Sequence, residues 1–181
     1  MPQWSEVEIL EGIKTPGKEE AAFAQLVQQY QERLYWHIRK IVLDHDDTDD
    51  ALQNTLMKAW RSLSGFRGDS ELFTWLYRIA TNEALTLLKQ KKRRMIAPGA
   101  DPDQRMADQL EADPWFDGDD IQLRLQKALL KLPQKQRLVF NMKYFDDLKY
   151  DEISDILGTS VGALKASYHH AVKKIERMLS D

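Results

Sequence analysis

The chain has 181 residues, 43% of them apolar and 30% charged, with 29 acidic and 26 basic side chains and no cysteine. This composition is typical of one or two folded domains rather than a disordered chain, and the lack of cysteine excludes disulfides, thiolate zinc fingers and a cysteine nucleophile. Residues 1–16 lack the basic-then-apolar pattern of a signal peptide, and no run of about 18 apolar residues is present, so we expect a cytoplasmic protein.

The charge is unevenly distributed along the chain. Residues 95–121 hold one basic and eight acidic side chains, whereas residues 122–181 hold eleven basic and seven acidic ones. The acidic segment also contains three prolines and two glycines, and this composition disfavours a packed element. We therefore predict two domains, residues 18–94 and 122–181, joined by a flexible acidic linker over residues 95–121. The sequence leaves open whether the N-terminal extension, residues 1–17, is a frayed end or a docking helix.

Apolar residues recur at helical spacing along most of the chain and almost nowhere alternate as in a strand. In the first domain this spacing predicts a helix of some twenty residues from Phe23 to Val42. A second helix follows the acidic run Asp44–Asp50, and a third leads from Leu72 into the basic run Lys89–Arg94. The predicted fold class is all-α, with two small helical domains.

The second domain ends with the pattern of a helix-turn-helix motif. A short helix stops at Gly158, and Thr159 or Ser160 caps a longer helix that is apolar on one side. The other side carries small and basic residues, which allow close approach to a DNA groove. Lys165 and Lys173 can meet phosphates. This pattern favours DNA binding over the alternative, a solvated basic face.

The first domain carries three further candidate surfaces. Met57 lies in the middle of a polar helix face, an arrangement found both at protein-docking faces and on solvated surfaces. The loop from Phe66 to Ser70 combines an arginine, a glycine and short polar side chains, and such a loop could hold an unstacked base. The basic run Lys89–Arg94 suits a solubilising helix end or a stripe that tracks phosphates. We expect Trp75 to belong to the core.

Taken in order and spacing, four stretches resemble one known family. They are Asp50–Trp60, Phe66–Ser70, Phe73–Asn82, and the stretch from Leu132-Pro133 to Ser160–Ser167. Together they resemble the extracytoplasmic-function (ECF) sigma factors, the smallest class of bacterial sigma-70-family transcription initiation factors. The resemblance implies that residues 18–94 are sigma region 2 and residues 122–181 are sigma region 4.

The resemblance also implies what each region binds. Core RNA polymerase, through its β′ and β subunits, is expected to dock on Asp50, Gln53, Asn54, Met57 and Lys58. Residues expected at the −10 element are Phe66, Arg67, Gly68, Asp69, Ser70, Arg78, Asn82, Lys89, Lys92 and Arg93. Residues expected at the −35 element are Ser160, Gly162, Lys165, Ala166, Ser167, His169, His170 and Lys173. The family further implies that the acidic linker threads toward the RNA path and that an anti-sigma factor is a partner.

Two positions depart from the family pattern. Asn54 stands where the family usually has an acidic residue, so the polymerase contact there is expected to be weaker or reshaped. Ser167 and His170 stand where many relatives carry arginines. The −35 preference of relatives therefore does not transfer, and phosphate affinity is expected to depend more on pH.

No arrangement of side chains typical of acid–base or nucleophilic catalysis is visible, and the four histidines lack the spacing of metal ligands. Asp44–Asp50 lacks the twelve-position calcium-loop pattern that ends in glutamate. We expect no enzymatic activity, cofactor, metal, small-molecule substrate or membrane insertion. Two alternatives remain: a stand-alone helix-turn-helix regulator, which would bind its promoter tightly by itself, and an all-helical adaptor, which would bind only protein.

Overall fold

The computed structural model describes residues 2–95, 98–113 and 118–181, and throughout these ranges its regular elements are helical. In chain order the helices are α1 (Glu6–Lys14), α2 (Glu19–Val42), α3 (His45–Ser62), α4 (Leu72–Arg94), α5 (Pro102–Ala112), α6 (Asp120–Leu130), α7 (Gln134–Phe140), α8 (Tyr150–Leu157) and α9 (Val161–Ser180). A 3-10 turn (Leu63–Gly65) follows α3, and a π-helical turn (Asn141–Phe145) follows α7. The all-α prediction is confirmed. Among the described residues, no helix combines the length and apolarity needed to cross a bilayer.

Helices α1 to α4 form the first bundle, in which α2, α3 and α4 pack against one another and α1 packs on α2. Leu43 ends α2 in a left-handed conformation, with φ 63°. Asp44 then caps α3, because its side chain accepts a hydrogen bond from the Asp47 amide at 2.9 Å. The acidic run therefore begins a helix, as its charge predicted.

Helices α6, α7 and α9 enclose the second bundle, and α8 precedes α9 in a helix-turn-helix. Gly158 ends α8 with φ 66°, a left-handed conformation that favours glycine. Ser160 caps α9 by accepting a hydrogen bond from the Ala163 amide at 3.3 Å. The apolar side of α9 lies in the core through Leu164, Ala171 and Ile175. The predicted helix-turn-helix is confirmed.

The acidic segment between the bundles contains helix α5, although its composition disfavours a packed element; over Pro102–Ala112 that expectation is wrong. Pro102 stands at the first helical position, where its missing N–H costs nothing, and Asp101 caps the helix by accepting from the Asp103 amide. One face of α5 is buried through Met106, Ala107 and Leu110. Proline, which usually interrupts a helix, therefore begins this one. Three apolar residues on one face of α5 anchor the helix by their burial.

The two bundles pack directly against each other. Helix α8 lies on α4, and the π-helical turn lies on α2. Buried side chains from both bundles, such as Leu76 and Ile153, belong to one continuous apolar cluster. The contact between α4 and α8 therefore places the helix that carries residues predicted for the −10 element against the second bundle.

Candidate nucleic-acid and protein interfaces

The candidate docking face lies on α3, where the five predicted residues Asp50, Gln53, Asn54, Met57 and Lys58 are all exposed. Lys58 is engaged within the chain, because its ammonium group pairs with the Glu83 carboxylate on α4. The exposed side chain of Met57 is an apolar group beside the polar side chains of Gln53 and Asn54, as the sequence predicted.

An apolar groove that sequence reasoning missed lies beside this face. It is lined by Phe23, Leu52, Leu56, Met57 and Trp60, among others. Met57 and Trp60 remain 46% and 44% exposed, and the Phe23 ring packs edge-on against Trp60 with centroids 5.0 Å apart. The available signal was the spacing of Trp60, which stands three residues after Met57 and therefore on the same side of the helix.

The loop between the 3-10 turn and α4 presents polar groups above an aromatic base. Phe66 is half-buried and packs on Trp75, with ring centroids 5.3 Å apart. Arg67, Gly68 and Asp69 are exposed, and Gly68 adopts φ 78°, which favours glycine. Trp75 is half-buried against the core rather than enclosed by it. The loop is therefore open to a ligand and has an aromatic wall.

Helix α4 carries the other residues predicted for the −10 element as a long stripe rather than as a pocket. Arg78, Asn82, Lys89 and Arg93 follow spacings of four, seven and four residues, which place them on one side of the helix. All four are exposed. Because α4 has 23 residues, it is about 34 Å long, so the loop and the basic end of the helix lie far apart. This length suits an extended nucleic-acid strand.

In the present arrangement this stripe faces the second bundle. The Arg78 guanidinium donates from Nε and Nη2 to the Asp155 carbonyl on α8, at 3.0 and 2.6 Å. At the other end of the stripe, Lys92 pairs with Asp103 of α5 at 3.1 Å. A groove between these two contacts is lined by Lys89 and Arg93 of α4 and by Gln134 of α7. The second bundle and the linker thus cover both ends of the stripe.

The residues predicted for the −35 element lie together on the outer side of α9. Seven of them are exposed: Ser160, Gly162, Lys165, Ala166, His169, His170 and Lys173. Ser167 is half-buried. The Lys165 ammonium group lies 5.8 Å from the centroid of the Tyr150 ring. This face is free of the contact between the bundles.

A buried polar network joins the bundles at one point. Asp146, directly after the π-helical turn, lies with one carboxylate oxygen 3.3 Å from His37 Nδ1, and its other oxygen binds the Lys40 ammonium group. The side chains of His37 and Asp146 are 1% and 6% exposed. His37 Nε2 lies 2.7 Å from the Thr81 hydroxyl of α4. The network therefore ties α2, α4 and the second bundle together.

Burial and charge act in opposite directions on this network. Burial lowers the pKa of the His37 imidazole, which favours its neutral form. Burial by itself would raise the pKa of Asp146, but the hydrogen bond from His37 and the charge of Lys40 hold that pKa below its usual value. Asp146 is therefore ionised at neutral pH and is the charge partner of Lys40.

Comparisons with known proteins agree with the sequence resemblance. Residues 26–94 match the family model described as sigma-70 region 2, and residues 122–175 match the model described as sigma-70, region 4. The chain is 30% identical over 168 residues to the RNA polymerase sigma-H factor of Pseudomonas aeruginosa, which covers 87% of this chain and 86% of that protein. It is 29% identical over 168 residues to the ECF RNA polymerase sigma factor SigW of Bacillus subtilis, over 88% and 90% of the two chains. The chain belongs to the ECF sigma factors, transcription initiation factors of the sigma-70 family.

Two solved structures have the same fold. CnrH, in complex with the cytosolic domain of CnrY, superposes with a TM-score of 0.70 at 22% identity, over 97% of this sigma factor and 96% of that chain. The sigma factor RpoE of Bartonella quintana, in complex with the anti-sigma factor NepR, gives a TM-score of 0.66 at 23% identity, over 87% and 96% of the two chains.

Replacing Asp146 by asparagine is expected to open the contact between the two bundles. His37 and Lys40 would lose their carboxylate partner, and breaking a buried ion pair by removing one side costs about 3 kcal/mol. Because the sigma factor has no cysteine, spin labels on Gln28→Cys in α2 and Glu176→Cys in α9 report the separation without background. We expect a longer label-to-label distance in D146N than in the parent.

The matched control is D147N at the adjacent position. Asp147 is exposed and has φ 51°, a left-handed conformation that asparagine tolerates. This variant is expected to keep the parental distance. An unchanged distance in D146N would show that the carboxylate does not hold the bundles together.

Proposed function

We propose that this sigma factor binds core RNA polymerase, directs it to promoters through −10 and −35 elements and promotes local melting of the DNA, with no enzymatic activity of its own. The observation that carries the proposal is the match of one chain to both region 2 and region 4, each with its predicted binding residues on an exposed surface. The remaining question is how weak contacts select and open a promoter.

At the −10 element, the proposed work is the capture of an extruded base by the loop Phe66–Ser70. Extruding a base costs a few kcal/mol of stacking and pairing. An aromatic side chain that stacks with a base contributes about 1–3 kcal/mol, and Phe66 with Trp75 provides such a surface beside the loop. The basic stripe of α4 would follow the phosphates of the same strand. Binding energy thus offsets the cost of melting.

At the −35 element, α9 is proposed to enter the major groove with its exposed side. Gly162 and Ala166 present little bulk, so the helix backbone can approach the base edges, while Lys165 and Lys173 reach phosphates. Each good base contact discriminates by about 1–3 kcal/mol. Because Ser167 and His170 stand where many relatives carry arginines, the −35 sequence that this helix prefers is expected to differ from theirs.

The exposed face of α3 is proposed as the site for core polymerase. Asp50, Gln53 and Asn54 supply hydrogen-bonding groups, and Met57 with the adjoining apolar groove supplies the desolvated centre that a stable protein interface needs. This face points away from the contact between the bundles, because α8 packs on α4 rather than on α3. Polymerase can therefore dock while the two bundles are still in contact.

The contact between the bundles sets an order of events. Arg78 must leave the Asp155 carbonyl before it can meet DNA, and Lys92 must leave Asp103. We infer that the free sigma factor binds DNA weakly and that polymerase holds regions 2 and 4 apart. An anti-sigma factor that binds this chain would act by keeping these surfaces unavailable.

Run-off transcription tests the function directly. Purified bacterial core polymerase, mixed with the sigma factor and a library of promoter fragments, is expected to start at a selected subset of sites. Tight promoter binding by the sigma factor without polymerase would instead favour a stand-alone regulator. No selective start site and no salt-dependent DNA affinity would overturn the proposal and favour a protein-only adaptor.

The double variant D50A/Q53A is expected to weaken holoenzyme assembly. Truncating two polar anchors at the centre of an interface costs about 1 kcal/mol each, which corresponds to roughly a ten-fold or greater loss of affinity. Co-elution with core polymerase at falling concentration measures the effect. The control is Q31A/E32A, which removes an amide and a carboxylate from exposed positions of α2. An equal loss of polymerase affinity in both double variants would contradict a docking role for α3.

Lys165→Ala is expected to reduce initiation at promoters that need a −35 element, with polymerase affinity unchanged. Removing one phosphate contact should lower the slope of log affinity against log salt by about one. Lys174→Ala is the matched control, because Lys174 lies on the same helix and its ammonium group hydrogen-bonds to Gln136 at 3.2 Å. If initiation by the Lys165 variant depends on the −35 element as strongly as initiation by the parent does, Lys165 does not contact that element.

A further inference from the structure

The N-terminal helix α1 lies outside the match to region 2, yet it is fastened to that region at several points. Ser5 and Glu8 form a capping box: the Glu8 amide donates to Ser5 Oγ at 3.2 Å and the Ser5 amide donates to Glu8 Oε2 at 2.6 Å. Ile9 and Ile13 are buried. A Cβ on Gly12 would lie 2.7 Å from the Ala22 Cβ, so α1 and α2 approach closely. The extension is therefore a docked helix.

One side chain of α1 reaches the start of α4. Glu6 Oε1 accepts a hydrogen bond at 3.0 Å from the backbone amide of Leu72, the first residue of α4. The cap residue of that helix, Glu71, makes no side-chain capping bond of its own. Since the first amides of a helix have no partner within it, a carboxylate from 66 residues away serves as the cap.

The position of this bond matters because Leu72 comes two residues after Ser70, the last residue of the proposed base-capturing loop. Helix α1 also contacts the 3-10 turn Leu63–Gly65, which comes directly before that loop. The Glu6 carboxylate lies near Tyr30 as well: burial raises the pKa of this phenol, and the charges of Glu6 and Glu71 raise it further against the opposing effect of Arg33. Helix α1 thus touches the chain on both sides of the loop.

We propose that Glu6 is a positioning residue for promoter melting, which holds the loop Phe66–Ser70 in its base-capturing shape by capping α4 at Leu72. The proposal rests on the function proposed above. The carboxylate would repel DNA phosphates if it met them, so its role is to fix the loop and not to bind the strand. Loss of the cap should leave core polymerase binding intact, because α3 does not depend on this bond.

The test uses holoenzyme made from core polymerase and the full chain on a promoter selected by run-off transcription, with 2-aminopurine in the −10 element. We expect Glu6→Ala to reduce promoter opening about five-fold, the effect of losing a helix cap. Glu6→Gln keeps an acceptor oxygen and is expected to restore most of the opening. Gly12→Val, which displaces α1, should resemble Glu6→Ala. Glu11→Gln, an exposed change on the same helix, should match the parent.

A second readout needs no promoter. Hydrogen exchange of the peptide covering residues 66–76 in the free chain is expected to quicken in Glu6→Ala and to stay parental in Glu6→Gln. The inference is overturned if Glu6→Ala opens the promoter, or exchanges its amides, at the parental rate. It is also overturned if Glu6→Gln reduces promoter opening as much as Glu6→Ala does, or if Glu6→Ala loses affinity for core polymerase together with promoter opening. If the parent holoenzyme itself fails to start at promoters, the proposed function fails, which is distinct from a failure confined to the variants.

Discussion

Helix α4 packs against helices of both bundles, and the arrangement of the candidate surfaces follows from this. It packs against α2 and α3 within its own bundle and against α8 of the other. Its buried residues, such as Leu76 and Ala80, hold region 2 together, while Arg78 and Asn82 lie on its outer side. A helix that supplies both the core of its bundle and the proposed −10 surface cannot move by itself. Under the proposed function, access of DNA to this surface is therefore controlled by moving the second bundle.

The contacts between the bundles combine apolar burial with paired charge. Asp146 is paired within a largely dry site, so the interface gives a defined geometry at a considerable desolvation cost. The acidic linker contributes in the same sense, since Asp103 pairs with Lys92 of the basic stripe. Asp103 thereby occupies one of the cations that we propose contact DNA phosphates, so fewer counterions would be released on binding. The closed arrangement and the weak DNA binding proposed for the free chain thus have a common cause.

Local features were predictable because their causes are local. The acidic run that begins α3, the glycine that ends α8 and the serine that caps α9 each act within one turn of helix, so neighbouring residues suffice to predict them. The candidate faces on α3 and α9 follow from helical periodicity for the same reason, and both are exposed. The prediction from composition was wrong for α5, because an average over a segment does not record where its residues stand. It misses a proline at the first helical position and three apolar residues on one face.

By itself, the sequence determined the helical class, the two bundles, the helix-turn-helix and, through resemblance, the sigma-factor family. Only the tertiary structure decided that α8 covers α4, that Asp146 joins the bundles and that Glu6 caps α4 from 66 residues away. The physical reason is that periodicity and capping depend on neighbours along the chain. A buried charge, or a helix cap supplied by a distant residue, instead depends on which groups far apart in the chain meet once the apolar surfaces have packed.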